Sequence, residues 1–397
     1  MNIHTLQPVA LKSQGVNFQA LPPLSLYIHI PWCVRKCPYC DFNSHEARGS
    51  IPEQEYVAAL IRDLEQALPL VWGRKFYTVF FGGGTPSLFS GDGVAEILRN
   101  VRMLLPLDLG AEITLEANPG TVEAGRFAAY REAGVNRLSM GIQSFDDTHL
   151  RALGRIHTSN EAKQAIAVAQ QHFSNINLDL MYALPNQTPD AALQDVQTAL
   201  TFAPQHLSCY HLTLEPNTLF HHNPPALPDD DASGEMQQRI EALLAAHGYQ
   251  HYETSAFALP KQRSRHNLNY WMFGDYLGIG AGAHSKLSFP DRVIRHSRYK
   301  QPQAYMQQVA NQTPIQTENE VSVDELGFEF MMNALRLNEG FDSVLFQERT
   351  SLPLLAIQRE LAEAEKRSLI IRDQRRIAPT RMGQRFLNDL LGIFLRC

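Results

Sequence analysis

The chain has 397 residues, of which 44% are apolar and 19% are charged, and its formal net charge at pH 7 is −6. This composition is typical of a globular protein with a sizeable core, and the acidic balance argues against nucleic acid as the main partner. No stretch has the length and apolar character of a signal peptide or a transmembrane segment, so we expect a cytoplasmic protein.

From residue 24 onwards, short apolar runs alternate with amphipathic stretches, a pattern that predicts repeated β/α units. The predicted strands cover residues 24–30, 78–81, 113–117, 137–142, 176–182 and 206–214. The predicted helices cover residues 53–68, 94–104, 122–133, 160–172, 191–202 and 233–247. Alternating units form a parallel sheet, and six units are fewer than the eight of a closed barrel. We therefore predict an α/β fold with an open, incomplete (β/α)6 TIM-type barrel over residues 24–260.

The segments outside this barrel are predicted to differ from it. Residues 1–23 are polar and unpatterned, which indicates a flexible N-terminal arm. After a possible strand at 249–258, residues 261–319 form a connector with a glycine-rich loop at 276–285. Residues 320–397 are expected to form a small C-terminal α+β domain that resembles a winged helix. Its predicted elements are helices at 325–337, 354–367 and 382–395 and a hairpin of 369–372 with 376–379. Because no basic recognition helix is present, a lid or docking role is favoured over DNA binding.

The most informative stretch is a cysteine-rich loop after the first predicted strand, which Pro31 ends. Three cysteines follow at positions i, i+4 and i+7, namely Cys33, Cys37 and Cys40. Three thiolates favour a soft metal, and no fourth cysteine lies nearby. One interpretation is a zinc site completed by His29 or His45. The other is an iron–sulfur cluster in which one iron has no protein ligand. Of the two remaining cysteines, we interpret Cys209 as a core residue and Cys397 as incidental.

Polar or glycine-rich segments follow the other predicted strands. They lie at residues 82–86, 116–119, 143–145 and 213–216, and Asp179 lies within the fifth strand. Because catalytic residues of such barrels gather at the carboxyl ends of the strands, one shared site at one rim is predicted. The glycines of residues 82–84 would let the backbone approach a ligand closely, although a glycine run is often only a turn.

The spacing C-x3-C-x2-C, with Tyr39 immediately before Cys40, resembles the radical S-adenosylmethionine (SAM) superfamily. This resemblance implies that the three cysteines hold a [4Fe–4S] cluster whose open iron chelates SAM. It also implies that Tyr39 packs near the adenine and that residues 82–84 run beside the methionine amino group.

The run 26–43, and more loosely residues 24–390, are similar to one branch of that superfamily. This branch contains oxygen-independent coproporphyrinogen III oxidase and the HemW group of haem chaperones. The residues that this resemblance places at the cofactors are Tyr27, Tyr39, Phe42, Gly83, Gly84, Thr85, Glu116, Gln143, Arg155 and Asp179.

Two features separate the members of this branch. The oxidase pattern has a further cysteine where this chain has Phe42, and it has a longer N-terminal region. The segment 266–271, HNLNYW, matches the H-N-x-x-Y-W segment of the HemW group, in which the histidine is implicated in haem binding. The residues by themselves favour a buried core histidine, whereas the resemblance implies that His266 binds haem iron. Tyr270 and Trp271 would then lie against the porphyrin, and the basic side chains nearby would meet its propionates, namely Lys261, Arg263 and Arg265.

The resemblance therefore implies a haem chaperone that binds a [4Fe–4S] cluster, SAM and haem, with residues 261–319 including the haem-binding segment. It implies delivery of haem to an acceptor, such as a respiratory haem protein at the membrane, and it allows a homodimer. One alternative is a radical SAM oxidative decarboxylase of coproporphyrinogen III, which Phe42 makes the less favoured function. The other is a zinc-binding module without redox chemistry.

Overall fold

The computed structural model describes residues 15–120 and 124–395. Its strands are β1 (Leu24–Ile30), β2 (Trp32–Cys33), β3 (His45–Glu46), β4 (Phe76–Gly83), β5 (Leu107–Ala117), β6 (Arg137–Gln143), β7 (Ile176–Tyr182), β8 (His206–His211), β9 (Gln250–Glu253), β10 (Ala256–Ala258), β11 (Asp275–Ile279), β12 (His284–Phe289), β13 (Arg292–Arg298), β14 (Ile315–Glu320), β15 (Phe341–Asp342), β16 (Ile370–Arg372) and β17 (Arg376–Pro379).

The α-helices are α1 (Glu53–Ala67), α2 (Gly91–Leu104), α3 (Phe127–Ala133), α4 (Asp147–Ala152), α5 (Ser159–His172), α6 (Pro189–Leu200), α7 (Leu219–His222), α8 (Asp230–Ala246), α9 (Arg265–Trp271), α10 (Pro302–Ala310), α11 (Val323–Ala334), α12 (Ser343–Thr350), α13 (Gln358–Lys366), α14 (Arg381–Arg385) and α15 (Leu387–Phe394). The predicted helix over 122–133 is observed as α3, and its predicted start at Thr121 to Glu123 lies outside the described residues.

The main sheet has twelve strands in the order β14-β13-β12-β11-β1-β4-β5-β6-β7-β8-β10-β9. From β1 to β8, each strand in this order pairs in parallel with the next. In the described part of the chain the two edge strands, β14 and β9, do not pair with each other, so the barrel is open. The predicted α/β fold with an incomplete barrel is confirmed.

The parallel strands carry apolar residues on both faces, as expected for a parallel sheet that is covered on both sides. In β1, Leu26 and Ile28 are fully buried in the core that α1 covers, while Tyr27 and His29 line the inside of the barrel. The helices predicted over 122–133 and 233–247 end just before Gly134 and Gly248, whose φ values are +108° and +82°. Glycine adopts these left-handed conformations without steric cost.

Residues 276–285 do not form the predicted glycine-rich loop. Residues 276–279 belong to β11, which pairs in parallel with β1, residues 284 and 285 start β12, and only residues 280–283 form a turn. The glycines mark close backbone contacts instead: a Cβ on Gly278 would lie 2.0 Å from the His284 carbonyl oxygen. Strands β12 to β14 extend the same sheet, so the expected connector contributes four strands to it. The possible strand at 249–258 is a hairpin of β9 and β10.

The C-terminal unit contains a second apolar core, formed by α11 to α15 and by the sheet β15-β17-β16. The predicted hairpin is β16 with β17, and the predicted last helix is interrupted at Phe386. The flexible arm predicted for residues 1–23 is not observed over residues 15–23, because Val16 and Phe18 are buried in this second core. The rest of that prediction concerns residues outside the described part of the chain.

Within the described residues, none of the helices combines the length and the apolar character that crossing a membrane requires.

Candidate functional site

The carboxyl ends of the parallel strands surround a cavity of about 660 Å³. The cysteine loop, Gly83 at the end of β4 and Glu116 near the end of β5 form part of its wall. Tyr270 and Tyr276 line it as well, so the segment after residue 260 contributes to the same space. The volume lies within the range of protein cofactor sites. The predicted gathering of strand ends at one site is observed for this part of the barrel.

Short backbone contacts hold the cysteine loop closed. Strand β2 pairs with β3, the His45 N–H donates to the Pro31 carbonyl at 2.7 Å, and the Ala47 N–H donates to the Cys33 carbonyl at 2.9 Å. Within the loop, the Cys40 N–H donates to the Cys37 carbonyl at 3.1 Å. Both ends of the loop are therefore tied together, and its three half-buried thiols belong to one rigid turn.

The thiols of this loop act on one another electrostatically. Burial raises the pKa of Cys33, and the nearby thiols of Cys40 and Cys37 raise it further. Burial also raises the pKa of Cys40, with a contribution in the same direction from Cys37. Metal coordination favours thiolates and would offset this cost. The three sulfurs therefore suit a shared cationic group.

The geometry disfavours a single zinc ion. Within residues 15–120 and 124–395, no three His, Cys, Asp or Glu side chains are grouped closely enough to hold one metal ion. The expected fourth ligands are also engaged, since His29 Nε2 lies 2.8 Å from the Asn43 carbonyl and His45 Nε2 lies 3.2 Å from the Lys300 carbonyl. Cysteine thiolates are the usual ligands of a four-iron cluster, so the three-thiol donor set of this loop fits one.

The glycine run fits closely against β1 and the start of the cysteine loop. A Cβ on Gly83 would lie 2.7 Å from the His29 ring, and one on Gly84 would lie 2.6 Å from the Trp32 carbonyl oxygen. Gly83 also has a φ of +118°. The Thr85 N–H donates to the Trp32 carbonyl at 2.7 Å, which fixes β4 to the loop. The glycines are thus required by close packing against His29 and Trp32, and their contact with a ligand stays a prediction.

Two half-buried carboxyl groups, those of Glu116 and Asp179, face the inside of the barrel. Burial and then the charge of Asp179 raise the pKa of Glu116 to about 8. Burial raises the pKa of Asp179, although Asn177 Nδ2 at 2.8 Å and Ser139 Oγ at 3.0 Å donate to it. Because a cation beside these carboxyl groups would favour their ionised forms, this part of the barrel suits a positively charged ligand.

Arg155 links the strand ends to the cysteine loop. Its guanidinium donates to Asn118 Oδ1 at 2.7 Å and to the Gly141 carbonyl at 2.8 Å, and lies 3.7 Å from Cys37 Sγ. Asn118 in turn donates to Thr85 Oγ1 at 3.1 Å. The sequence interpretation did not single out Asn118, although it lies in the E-A-N-P run of residues 116–119 at the end of the third predicted strand. Gln143 lies at the end of β6, where its backbone has a left-handed φ of +67°.

The three predicted aromatic residues have different surroundings. Tyr27 lines the cavity and its hydroxyl lies 3.1 Å from His29 Nδ1. Tyr39 packs against Phe220, with ring centroids 6.4 Å apart. Phe42 also lines the cavity, and 62% of its surface is exposed. An exposed aromatic ring on a cavity wall offers a flat apolar surface to a ligand.

His266 lies away from the cavity wall and is 1% exposed. Its Nδ1 is 2.7 Å from Thr78 Oγ1, and its Nε2 is 3.2 Å from the Tyr270 hydroxyl. The ring stacks on Phe80 with a centroid distance of 4.9 Å, and burial lowers its pKa to about 3. In this conformation both ring nitrogens are engaged, and only Tyr270 at the other end of α9 reaches the cavity.

The other residues of the predicted haem segment are directed elsewhere. Trp271 stacks beneath the Arg336 guanidinium at 4.3 Å. Arg263 forms a salt bridge with Glu339 at 2.6 Å, and Arg265 donates to the Gly110 carbonyl at 2.6 Å. The structure therefore does not bring these basic side chains to the cavity that the cysteine loop faces.

A cysteine loop after the first strand of an open barrel, followed by a glycine run on the second, defines a protein built on the radical SAM scaffold. Residues 27–199 match the model of the radical SAM superfamily, and residues 321–386 match that of the HemN C-terminal domain. The chain belongs to the HemW family of radical SAM proteins, as its similarity to known members shows.

Three relatives illustrate that similarity. The protein named heme chaperone HemW from Escherichia coli is 49% identical over 94% of this chain and 99% of its own. The Bacillus subtilis protein of the same name is 33% identical over the same shares. The bovine mitochondrial radical S-adenosyl methionine domain-containing protein 1 is 36% identical over 92% of this chain and 86% of its own.

Among solved structures, coproporphyrinogen III oxidase (HemN) from Escherichia coli matches 94% of this chain and 90% of its own with a TM-score of 0.80 and 24% identity. At this identity the likeness shows the fold alone. The predicted family and fold class are confirmed.

Proposed function

We propose that this chain is a haem chaperone that carries a [4Fe–4S] cluster on Cys33, Cys37 and Cys40, binds SAM at the open iron and passes haem to an acceptor protein. The observation that supports this most is the closed cysteine loop, which carries the three half-buried thiols and lines the cavity through Cys40. The relatives from Escherichia coli and Bacillus subtilis are named heme chaperones. When bound, the cluster and SAM would supply the redox chemistry, or control when haem is released.

The residues beside the loop suit SAM chemically. The glycine run brings backbone N–H and carbonyl groups next to the cysteine loop, where a methionine amino group and carboxylate could be bound. Glu116 and Asp179 offer half-buried acids to the positive charge of the sulfonium. Arg155, Gln143 and Asn118 hold the neighbouring strand ends in place.

Coproporphyrinogen decarboxylation is the less favoured function, because Phe42 stands where the oxidase pattern has a further cysteine. Its exposed ring adds apolar surface to the cavity and leaves no thiol at that point. We also propose that the protein works in the cytoplasm and meets a haem-accepting respiratory protein, either as a monomer or as a homodimer.

The sequence-based prediction that His266 binds haem iron would require a rearrangement, and the structure favours a buried core histidine. The side chain would have to leave its hydrogen bonds to Thr78 and Tyr270 and its stacking on Phe80 before either nitrogen met a haem. The variant His266→Ala tests this role, since unchanged haem affinity would remove it.

The function is tested by titrating haem into the anaerobically reconstituted protein and then adding an apo-form of a haem protein. We expect stoichiometric binding followed by transfer, with little protoporphyrin formed from coproporphyrinogen III in a parallel incubation with SAM and reductant. Absence of haem binding would contradict the chaperone function. Robust turnover of coproporphyrinogen would favour the oxidase instead.

A pH dependence of SAM binding follows from Glu116. Its raised pKa of about 8 means that the carboxyl group is mostly protonated at pH 7 and must lose its proton to pair with a cation. We expect the SAM affinity of the wild type, divided by that of Glu116→Gln, to rise as the pH approaches about 8, by at most about tenfold per pH unit. Because SAM titrates in the same way in both measurements, its own titration cancels in this ratio of affinities. Isothermal titration at several pH values measures it, and a ratio independent of pH would exclude Glu116 from the SAM site.

A further inference from the structure

The cavity contains a histidine that the proposed function has not used. His284 starts β12, is exposed and lines the cavity that the cysteine loop faces. Its backbone is fixed, because Gly278 packs against the His284 carbonyl so closely that a Cβ would lie 2.0 Å from it. The ring therefore projects from a rigid strand into open space.

Each of the other histidines near this cavity has at least one hydrogen-bonded ring nitrogen. His29 is bonded at both nitrogens, to Tyr27 and Asn43, and His45 is bonded at Nε2. His266 is bonded at both nitrogens below the cavity floor. Within the described part of the chain, the ring of His284 has no hydrogen-bond partner. A neutral imidazole with a free nitrogen is the commonest protein ligand of haem iron.

The surroundings of His284 suit the rest of a haem. Tyr270 and Tyr276 pack edge to face with centroids 4.6 Å apart, and the exposed Phe42 lines the same cavity. These three rings provide apolar surface for a porphyrin face.

Basic side chains for the propionates are also present. Lys36 and Lys300 line the cavity, and Lys36 Nζ is held by the Phe42 carbonyl at 3.1 Å. Lysine ammonium groups at the rim of a pocket can pair with carboxylates. The acidic side chains among the lining residues are Asp41 and Glu116, the latter on the SAM side.

We infer that haem binds in this cavity with His284 as an axial ligand, its propionates toward Lys36 and Lys300 and its ring beside Phe42 and Tyr270. The inference rests on the proposed haem chaperone function and specifies its binding site. Because Cys40 and Gly83 line the same cavity, haem and the cofactors of the cysteine loop would be neighbours.

The test compares haem binding by the anaerobically reconstituted wild type with His284→Ala, His45→Ala and His266→Gln. Affinity is measured from the Soret band, and the axial ligand is identified by magnetic circular dichroism. We expect His284→Ala to lose affinity by about tenfold or more and to lose the histidine-ligand signature. Added imidazole should restore that signature in His284→Ala, while the other two variants keep both properties.

The outcomes separate this inference from the function on which it rests. If the wild type binds haem and His284→Ala keeps its affinity and spectrum, the chaperone function stands and the inferred ligand is wrong. Loss of the signature in His45→Ala or His266→Gln alone would also overturn the inference and assign the ligand to that residue. If the wild type binds no haem, the proposed function fails and the inference fails with it.

Discussion

Replacing Cys37 by alanine is expected to remove the iron–sulfur cluster. The three cysteines belong to one closed loop, and His29 and His45, the histidines that could replace a lost thiolate, are bonded to backbone carbonyls. A site with two thiolates for four irons would not retain the cluster. Iron and sulfide analysis after anaerobic reconstitution should therefore give close to zero for this variant, and for Cys33→Ala and Cys40→Ala as well.

Cys209→Ala is the matched control for these variants. Cys209 lies in β8, is 5% exposed, and burial together with the charge of Asp179 raises its pKa to about 12, so it is an inert core thiol. This variant should reconstitute as the wild type does. A full complement of iron and sulfide in any of the three loop variants would show that the cluster has another ligand set.

Replacing Asp63 by alanine is expected to cause a large loss of stability. Asp63 on α1 is fully buried and accepts hydrogen bonds from the Arg298 guanidinium at 3.0 Å and from the Tyr305 hydroxyl at 2.9 Å. Its Oδ2 also accepts from the Gly280 N–H at 3.2 Å. Without the carboxylate, Arg298 would be a buried charge without its partner, which costs about 3–5 kcal/mol.

This loss is measured by urea unfolding under anaerobic conditions. Asp291→Ala is the matched control, since the salt bridge between Asp291 and Arg292 lies on the surface and should contribute little. Asp63 also holds the turn after β11, which leads to His284, so a destabilised variant should bind haem more weakly. Equal unfolding midpoints for Asp63→Ala and the control would contradict this role.

The parallel part of the fold could be predicted because its strands are apolar on both faces and its helices are amphipathic. The antiparallel extension could not be predicted in the same way. Gly278 and Gly280 look like loop residues in the sequence, but they are glycines because strands and turns approach one another there. Such contacts join residues that are distant in the chain, as in the pairing of β1 with β11. A local sequence pattern cannot predict them.

The candidate site, like the fold, could be predicted only in part. The cysteine spacing located the metal-binding loop, because three ligands within eight residues are a local signal. The links from Arg155 to Asn118 and to Cys37 join segments 37 and 118 residues apart, so spacing alone could not identify Asn118. His266 was singled out by a motif, yet its surroundings are those of a core residue, because α9 directs it toward Thr78 and Phe80. No local pattern identifies His284, because the segment 276–285 that contains it is rich in glycine and looks like a loop.

The electron paramagnetic resonance spectrum of the reduced, reconstituted protein, recorded with and without SAM, is the most direct test of this protein's site. Three thiolates and one open iron predict a [4Fe–4S] signal whose g values shift when SAM binds that iron. A protein without an iron–sulfur signal, or one whose signal SAM leaves unchanged, would contradict the three-cysteine site and the function built on it.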